Sequence, residues 1–242
     1  VDLTTLLLVA FCAFLIAFAK SGTAGTLGPV AILLMVLVIP ADEAVGLLLP
    51  MLIFADGFAV AAHWKRWDVP SALRLLTGAV VGIVLGTLVI SSIGELVLRR
   101  IIGVAMLAFV AAFVGLRGVR IRRERARAFA YAAGAVSGFI STLAHVGGPP
   151  IVVYLISIGM GPAPFVATSV AFFAVVNLLK VPGYLWAGLL DGELIRQTAP
   201  AWLAIPFGVY LGRRMVDRID RVTFERLTVV LLTVGGVILL LT

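Results

Sequence analysis

The stretch STLAHVGGPPIVVYLIS (Ser141–Ser157) sets a histidine, two adjacent glycines and two adjacent prolines inside a run of apolar residues. Glycine, proline and the β-branched residues around them all weaken a helix, proline most of all. A break of this kind has to be explained by what surrounds it, and the surroundings are apolar from one end of the chain to the other.

Of the 242 residues, 62% are hydrophobic and only 13% are charged, and the mean hydropathy is +1.17. That composition excludes a water-soluble globular domain. Apolar runs of about 18 to 23 residues recur along the chain, each long enough to cross a hydrocarbon core as a helix. They show no alternation at period two, so the expected fold is an all-α polytopic membrane protein and not an outer-membrane barrel. The start, VDLTTLLLVAFCAFLIAFAK, lacks a basic region before its apolar stretch and reads as a retained first helix.

The net charge of +7 does not point to nucleic acid, because the arginines sit between apolar runs. They are densest in RGVRIRRERAR (Arg117–Arg127), which reads as a cytoplasmic loop. With that loop fixed inside, 14 lysines and arginines fall on the cytoplasmic side and 3 outside, Lys20 and Lys180 being left within the membrane or at its boundary. The single cysteine, Cys12, lies in the first apolar run and is a packing residue. No cofactor, metal or catalytic residue is expected, and the sequence carries no signal of oligomeric state.

Turn and charge punctuation gives five apolar pieces in the first half: Leu3–Ala19, Pro29–Ile39, Ala44–Ala62, Val69–Ile90 and Leu98–Leu116. The second half gives Phe129–Ala144, Pro150–Ile158, Phe165–Ala187, Leu194–Leu211 and Thr223–Leu241. LGPVAILL (Leu27–Leu34) stands opposite GGPPIVVYL (Gly147–Leu155), and GIVLG (Gly82–Gly86) opposite GVYLG (Gly208–Gly212). The chain therefore reads as a duplication, residues 1–120 and 121–242, joined by the basic linker at 117–127. The charge assignment starts the halves on opposite sides, which makes them inverted-topology repeats. Transporters built that way bind substrate near the midplane, where broken helices meet.

Both halves have such a break, SGTAGTLGP (Ser21–Pro29) and STLAHVGGPP (Ser141–Pro150). Irregular backbone at membrane depth survives only inside protein or beside a water-filled cavity. Each break leads into a proline at the first turn of a short helix, where free amides and the helix dipole favour an anion. The candidate ligands are the hydroxyls of Ser21, Thr23, Ser141 and Thr142, the backbone at Gly28, Gly147 and Gly148, and the side chain of His145. Close helix crossing is the alternative use of small residues, and Gly78, Gly82, Gly86, Gly208 and Gly212 are assigned to it.

Two charges lie deep in apolar pieces, Asp56 in the third and Lys180 in the eighth. Intramembrane charge is costly and points to function. Asn177 and Lys180 share a helix face, and an offset of 121 residues sets Asp56 opposite Asn177. A lysine suits an anionic substrate. Asp56 suits a proton relay or an ion-pair partner for Lys180, and a purely structural Asp56–Lys180 salt bridge is the alternative. Lys20, just before the first break, could reach an interface or line the anion route.

Two glycine-rich breaks, each followed by a short apolar segment, in a chain of this length with a basic central loop, resemble the sulfite exporter TauE/SafE family, also grouped with toluene-sulfonate uptake permeases. The family's glycine-rich motif falls on Gly147, Gly148 and Pro149, and more loosely on Gly22, Gly25 and Gly28. His145 and Pro149 stand where the family commonly has glycine. The resemblance implies a multi-pass protein of the bacterial cytoplasmic membrane, a secondary transporter of small sulfonate or sulfite-type anions. An anion channel and a carrier of small carboxylates are the alternatives. Ser141 and His145 lie four apart, as a nucleophile and base could, but no GxSxG elbow accompanies them, and no GxxxxGK[ST] loop encodes ATP drive.

Overall fold

The computed structural model describes residues 3–22, 28–115, 126–215 and 221–241, and all regular structure among them is helical. In chain order the helices are α1 (Leu3–Gly22), α2 (Gly28–Val36), α3 (Ala41–Ala62), α4 (Val69–Ile90), α5 (Glu95–Gly115) and α6 (Ala126–Ala144). They continue with α7 (Gly148–Ser157), α8 (Pro162–Trp186), α9 (Gly192–Thr198), α10 (Ala204–Met215) and α11 (Arg221–Leu241). Among the described residues, α1, α3, α4 and α8 are long and apolar enough to cross a membrane. Of the basic stretch at 117–127, only Ala126 and Arg127 are described.

The helix limits follow local chemistry. The Asp68 carboxylate caps α4 by accepting from the Ser71 amide at 2.9 Å, with Pro70 in the first turn. Asp191 caps α9 in the same way through the amides of Glu193 and Leu194. Helices α2 and α7 have 9 and 10 residues, about half the length needed to span at 1.5 Å per residue. Each begins at one of the two breaks.

One expected piece is divided. The apolar run Leu194–Leu211 is not one helix: a 3-10 turn at Ala199–Leu203 separates α9 from α10. Pro200 withdraws a backbone donor and Pro206 imposes its ring on the turn that follows, so a continuous α-helix through both is disfavoured.

Packing relies on small residues. On α4, Gly78 lies against Tyr131 and Ala135, Gly82 against Ala135 and Phe139, and Gly86 against Phe139 and Thr142 of α6. The register rises on both helices together, so α4 and α6 run parallel. Gly134 and Gly138 of α6 return the contact against Leu75 and Ala79. A Cβ on any of the four at Gly78, Gly82, Gly134 or Gly138 would collide with backbone of the facing helix, and such close approach is what helix association in lipid depends on. Gly208 of α10 lies against Phe14, Ala17 and Phe18 of α1 in a second such seam.

Helices α5 and α11 cross antiparallel, with Gly103 against Gly236 and Leu239 while Gly236 meets Leu107. Helices α3 and α8 are antiparallel too, since Asp56 meets Asn177 and Gly46 meets Leu189 just beyond α8. The outer surface is apolar, as lipid requires, with Leu7, Phe11, Leu73, Leu85 and Leu185 exposed.

Candidate functional site

Asp56, Asn177, Lys180, Ser141 and Thr142, all buried, collect where α1, α3, α6 and α8 approach one another. Helix α8 carries Asn177, Lys180 and Tyr184 on one buried stripe, at the three- and four-residue spacings that share a helical face. Lys180 has no exposed surface. Its ammonium donates to the Ser141 carbonyl at 3.2 Å, to the Ser141 hydroxyl at 3.2 Å and to His145 Nδ1 at 3.0 Å. All three hydrogens of the ammonium are thereby used, and every acceptor is neutral.

His145 sits just past the end of α6 with φ at +55°, a left-handed conformation that glycine adopts freely and histidine adopts at a cost of about 1 kcal/mol or more. Its amide closes the last turn of α6 by donating to the Ser141 carbonyl at 3.0 Å. The imidazole bridges two helices. Nε2 lies 2.9 Å from the Val45 carbonyl of α3, and a carbonyl can only accept, so Nε2 carries the hydrogen. Nδ1 faces the Lys180 ammonium, which can only donate, so Nδ1 is bare. The ring is the neutral Nε2–H tautomer. The Tyr184 hydroxyl, 3.5 Å from Nε2, donates to the Thr142 carbonyl at 2.6 Å.

Asp56 does not pair with Lys180. Its carboxylate forms a salt bridge with Lys20 at the end of α1 and accepts from the Asn177 side-chain amide at 2.7 Å. Lys20 also donates to the Leu52 carbonyl at 3.3 Å. The expectation that Asp56 neutralises Lys180 is thus corrected: the geometry of α1 brings a nearer cation to the carboxylate, and Asn177 stands on the α8 side. Among the described residues the cluster holds two ammonium groups against one carboxylate. Among these residues, Lys180 makes no direct contact with a carboxylate.

The structure therefore brings together Lys180, Ser141 and His145, and joins Asn177 to Asp56. Thr142 takes part only through its carbonyl, because its hydroxyl donates to the Gly138 carbonyl of its own helix at 2.8 Å. Gly147 is held against α6, where the Ser137 hydroxyl donates to its carbonyl at 2.6 Å and a Cβ would come within 2.9 Å of Ser141. Gly148 has room around it, its nearest neighbour to an added Cβ being Phe109 at 3.5 Å. Pro149 and Pro150 occupy the first turn of α7, so two of the amides a helix start would offer an anion are missing and Gly147 and Gly148 supply those that remain. Thr23 and the side chain of Ser21 lie outside the described residues, and Gly28 opens α2.

Sequence reasoning missed Tyr184 and the Val45 carbonyl and left Lys20 undecided. Tyr184 had a signal, four residues beyond Lys180 on the same face. Val45 had none, since a backbone carbonyl leaves no mark on composition.

The cluster thus sets a buried lysine beside the second glycine-rich break. The family model for sulfite exporter TauE/SafE matches residues 6–239, nearly the whole chain. The chain belongs to the TauE/SafE family. No curated protein and no solved structure matches it significantly. Members of the TauE/SafE family are membrane transporters of sulfite and related anions, so this TauE/SafE protein is a multi-pass anion transporter.

Proposed function

We propose that the chain is a secondary transporter that carries a small sulfur oxyanion, of the sulfite or sulfonate class, across the bacterial cytoplasmic membrane by alternating access. The observation that carries this reading is Lys180: fully buried, hydrogen-bonded only to neutral acceptors, and placed beside the second break. An unpaired charge at that depth is costly, and an incoming anion relieves the cost. The Ser141 hydroxyl and the amides of Gly147 and Gly148 are the neighbouring donors.

Alternating access is supported by the way helices pair. Matching residues 1–120 with 121–242 sets α1 against α6, α3 against α8, α4 against α10 and α5 against α11. Under that exchange the α4–α6 seam becomes the α10–α1 seam, and both are extensive contacts. Helices α3 and α8, and likewise α5 and α11, pair with their own counterparts, and antiparallel crossing is what an in-plane two-fold axis requires of such pairs. Asp56 and Asn177, separated by 121 residues, are hydrogen-bonded to each other, as two residues related by such an axis and lying close to it would be.

Counterflow in proteoliposomes tests the proposal, with sulfite, sulfoacetate, small sulfonates and C2 to C3 carboxylates as trans substrates. Saturable exchange of a sulfur oxyanion, lost in Lys180→Met while the variant still purifies as a folded protein, is the expected result. Linear flux without exchange would make the protein a channel, and undiminished affinity in Lys180→Met would remove the lysine from the site.

A further inference from the structure

We infer that a dianionic substrate is carried together with one proton, and that the proton is held on Nδ1 of His145. The inference rests on the anion site proposed above and adds a second ligand to it. The Lys180 ammonium already spends its three hydrogens on Ser141 and His145, so it meets an oxyanion by swinging away from these acceptors together. The Ser141 carbonyl keeps a donor when Lys180 leaves, because the His145 amide also bonds to it. The Ser141 hydroxyl can rotate to a new partner. Nδ1 can do neither: once the ammonium turns to the anion, a bare acceptor is left in a site where unpaired polar atoms are penalised.

A proton at that nitrogen removes the penalty and turns the acceptor into a donor aimed at the space Lys180 has faced. The charge count favours the same event. Lys20 and Asp56 neutralise each other, so Lys180 alone balances a monoanion, while a dianion in the same low-dielectric site needs one more positive charge. The imidazole is the group that can provide it. The groups facing the ring are Lys180 and the Tyr184 hydroxyl from α8 and the Val45 carbonyl from α3. The paired Lys20 of α1 and Asp56 of α3 are the next charges. Val45 holds the Nε2–H throughout, so only Nδ1 changes. The left-handed backbone at position 145 would be relieved by glycine, and the chain keeps the imidazole there instead.

The test uses the full chain in proteoliposomes with sulfoacetate, a dianion at neutral pH that brings no proton of its own, and a trapped pH-sensitive dye. The expected result is entry of about one proton per anion, set by the single vacant ring nitrogen. In His145→Gln, which keeps an amide for hydrogen bonding but binds no proton, the ratio falls to near zero on whatever flux remains. Anion flux in the unmodified chain without proton movement, or an unchanged ratio in His145→Gln, would overturn the inference.

A chain that gives no sulfoacetate counterflow at all would count against the anion site itself. The proton site is then decided by nitrogen NMR of histidine-labelled protein, in which His63 and His145 are the two signals and His63→Gln identifies them. Lys180→Met uncovers Nδ1, so over a pH series the His145 ring takes its second proton in the variant under conditions where it stays singly protonated in the unmodified chain. Identical spectra would mean that Lys180 does not guard the nitrogen, and the inference would fail.

Discussion

Asp56→Asn removes a charge without changing shape and leaves the Lys20 ammonium facing an amide. The two side chains are 14% and 5% exposed, so water makes good little of the loss. Breaking a buried ion pair by removing one partner costs about 3–5 kcal/mol, whereas replacing both with apolar groups is close to neutral. Lys20→Met should be as damaging as Asp56→Asn, and the double variant Lys20→Met, Asp56→Leu should recover most of the difference. At 1.4 kcal/mol per factor of ten, each single variant lowers the folding equilibrium by roughly a hundred-fold or more. Thermal unfolding in mild detergent, read as the surviving monodisperse fraction, gives the ranking, and a double-mutant cycle gives the coupling. Additive effects, within about 0.5 kcal/mol, would show that Lys20 and Asp56 are not partners. Coupling of Asp56 to Lys180 in a parallel cycle would restore the salt bridge the sequence allowed and remove the unpaired cation from the site.

Gly82→Ala should destabilise by about 1–3 kcal/mol or more, because its Cβ would meet the Ala135 carbonyl and lie 2.7 Å from the Phe139 nitrogen. Gly57→Ala, on α3 with nothing within 4 Å of the added carbon, should instead gain about 0.5–1 kcal/mol; the same unfolding assay compares the two. Tyr184→Phe strips the donor from the buried Thr142 carbonyl and should cost about 1–3 kcal/mol, measured against the unmodified chain by the same midpoint shift. Arg99→Ala removes a guanidinium that donates to the Val36 carbonyl at 3.0 Å at the end of α2. Amide exchange along α2 should then rise about two- to five-fold, as expected for losing a cation worth 0.3–1 kcal/mol at a helix C-terminus.

Much of the fold was legible because each helix is bounded by residues that leave a sequence mark. Val69–Ile90 runs from Asp68 and Pro70 to a serine pair, and its predicted and observed limits coincide. The run at Leu194–Leu211 misled because the apolar residues flanking Arg196–Thr198 outweigh, in a count along the chain, two prolines that act locally. Of the site, Lys180, His145 and Ser141 were visible as polar residues at odds with their surroundings, and the structure brings them into contact. The partner of Asp56 was not visible. Hydropathy and spacing rank residues along one helix, but the choice between Lys20 and Lys180 depends on how far α1 rotates against α3, which the sequence expresses only through packing. Thr142 illustrates the reverse error, a hydroxyl that looks available but bonds to its own helix, a habit of threonine in apolar helices.

The exchange of partners between the two ends of the chain has a consequence for how the protein is made. Helix α1 packs chiefly on α10, and α4 chiefly on α6, so α1, made well before α10, waits in the bilayer until α10 has been inserted. During that interval its glycine-matched face and Lys20 have only lipid or the insertion machinery for company, except where α3 arrives early with Asp56. The salt bridge thus doubles as an early clasp, holding α1 in register on α3 while the helices up to α10 are still being synthesised.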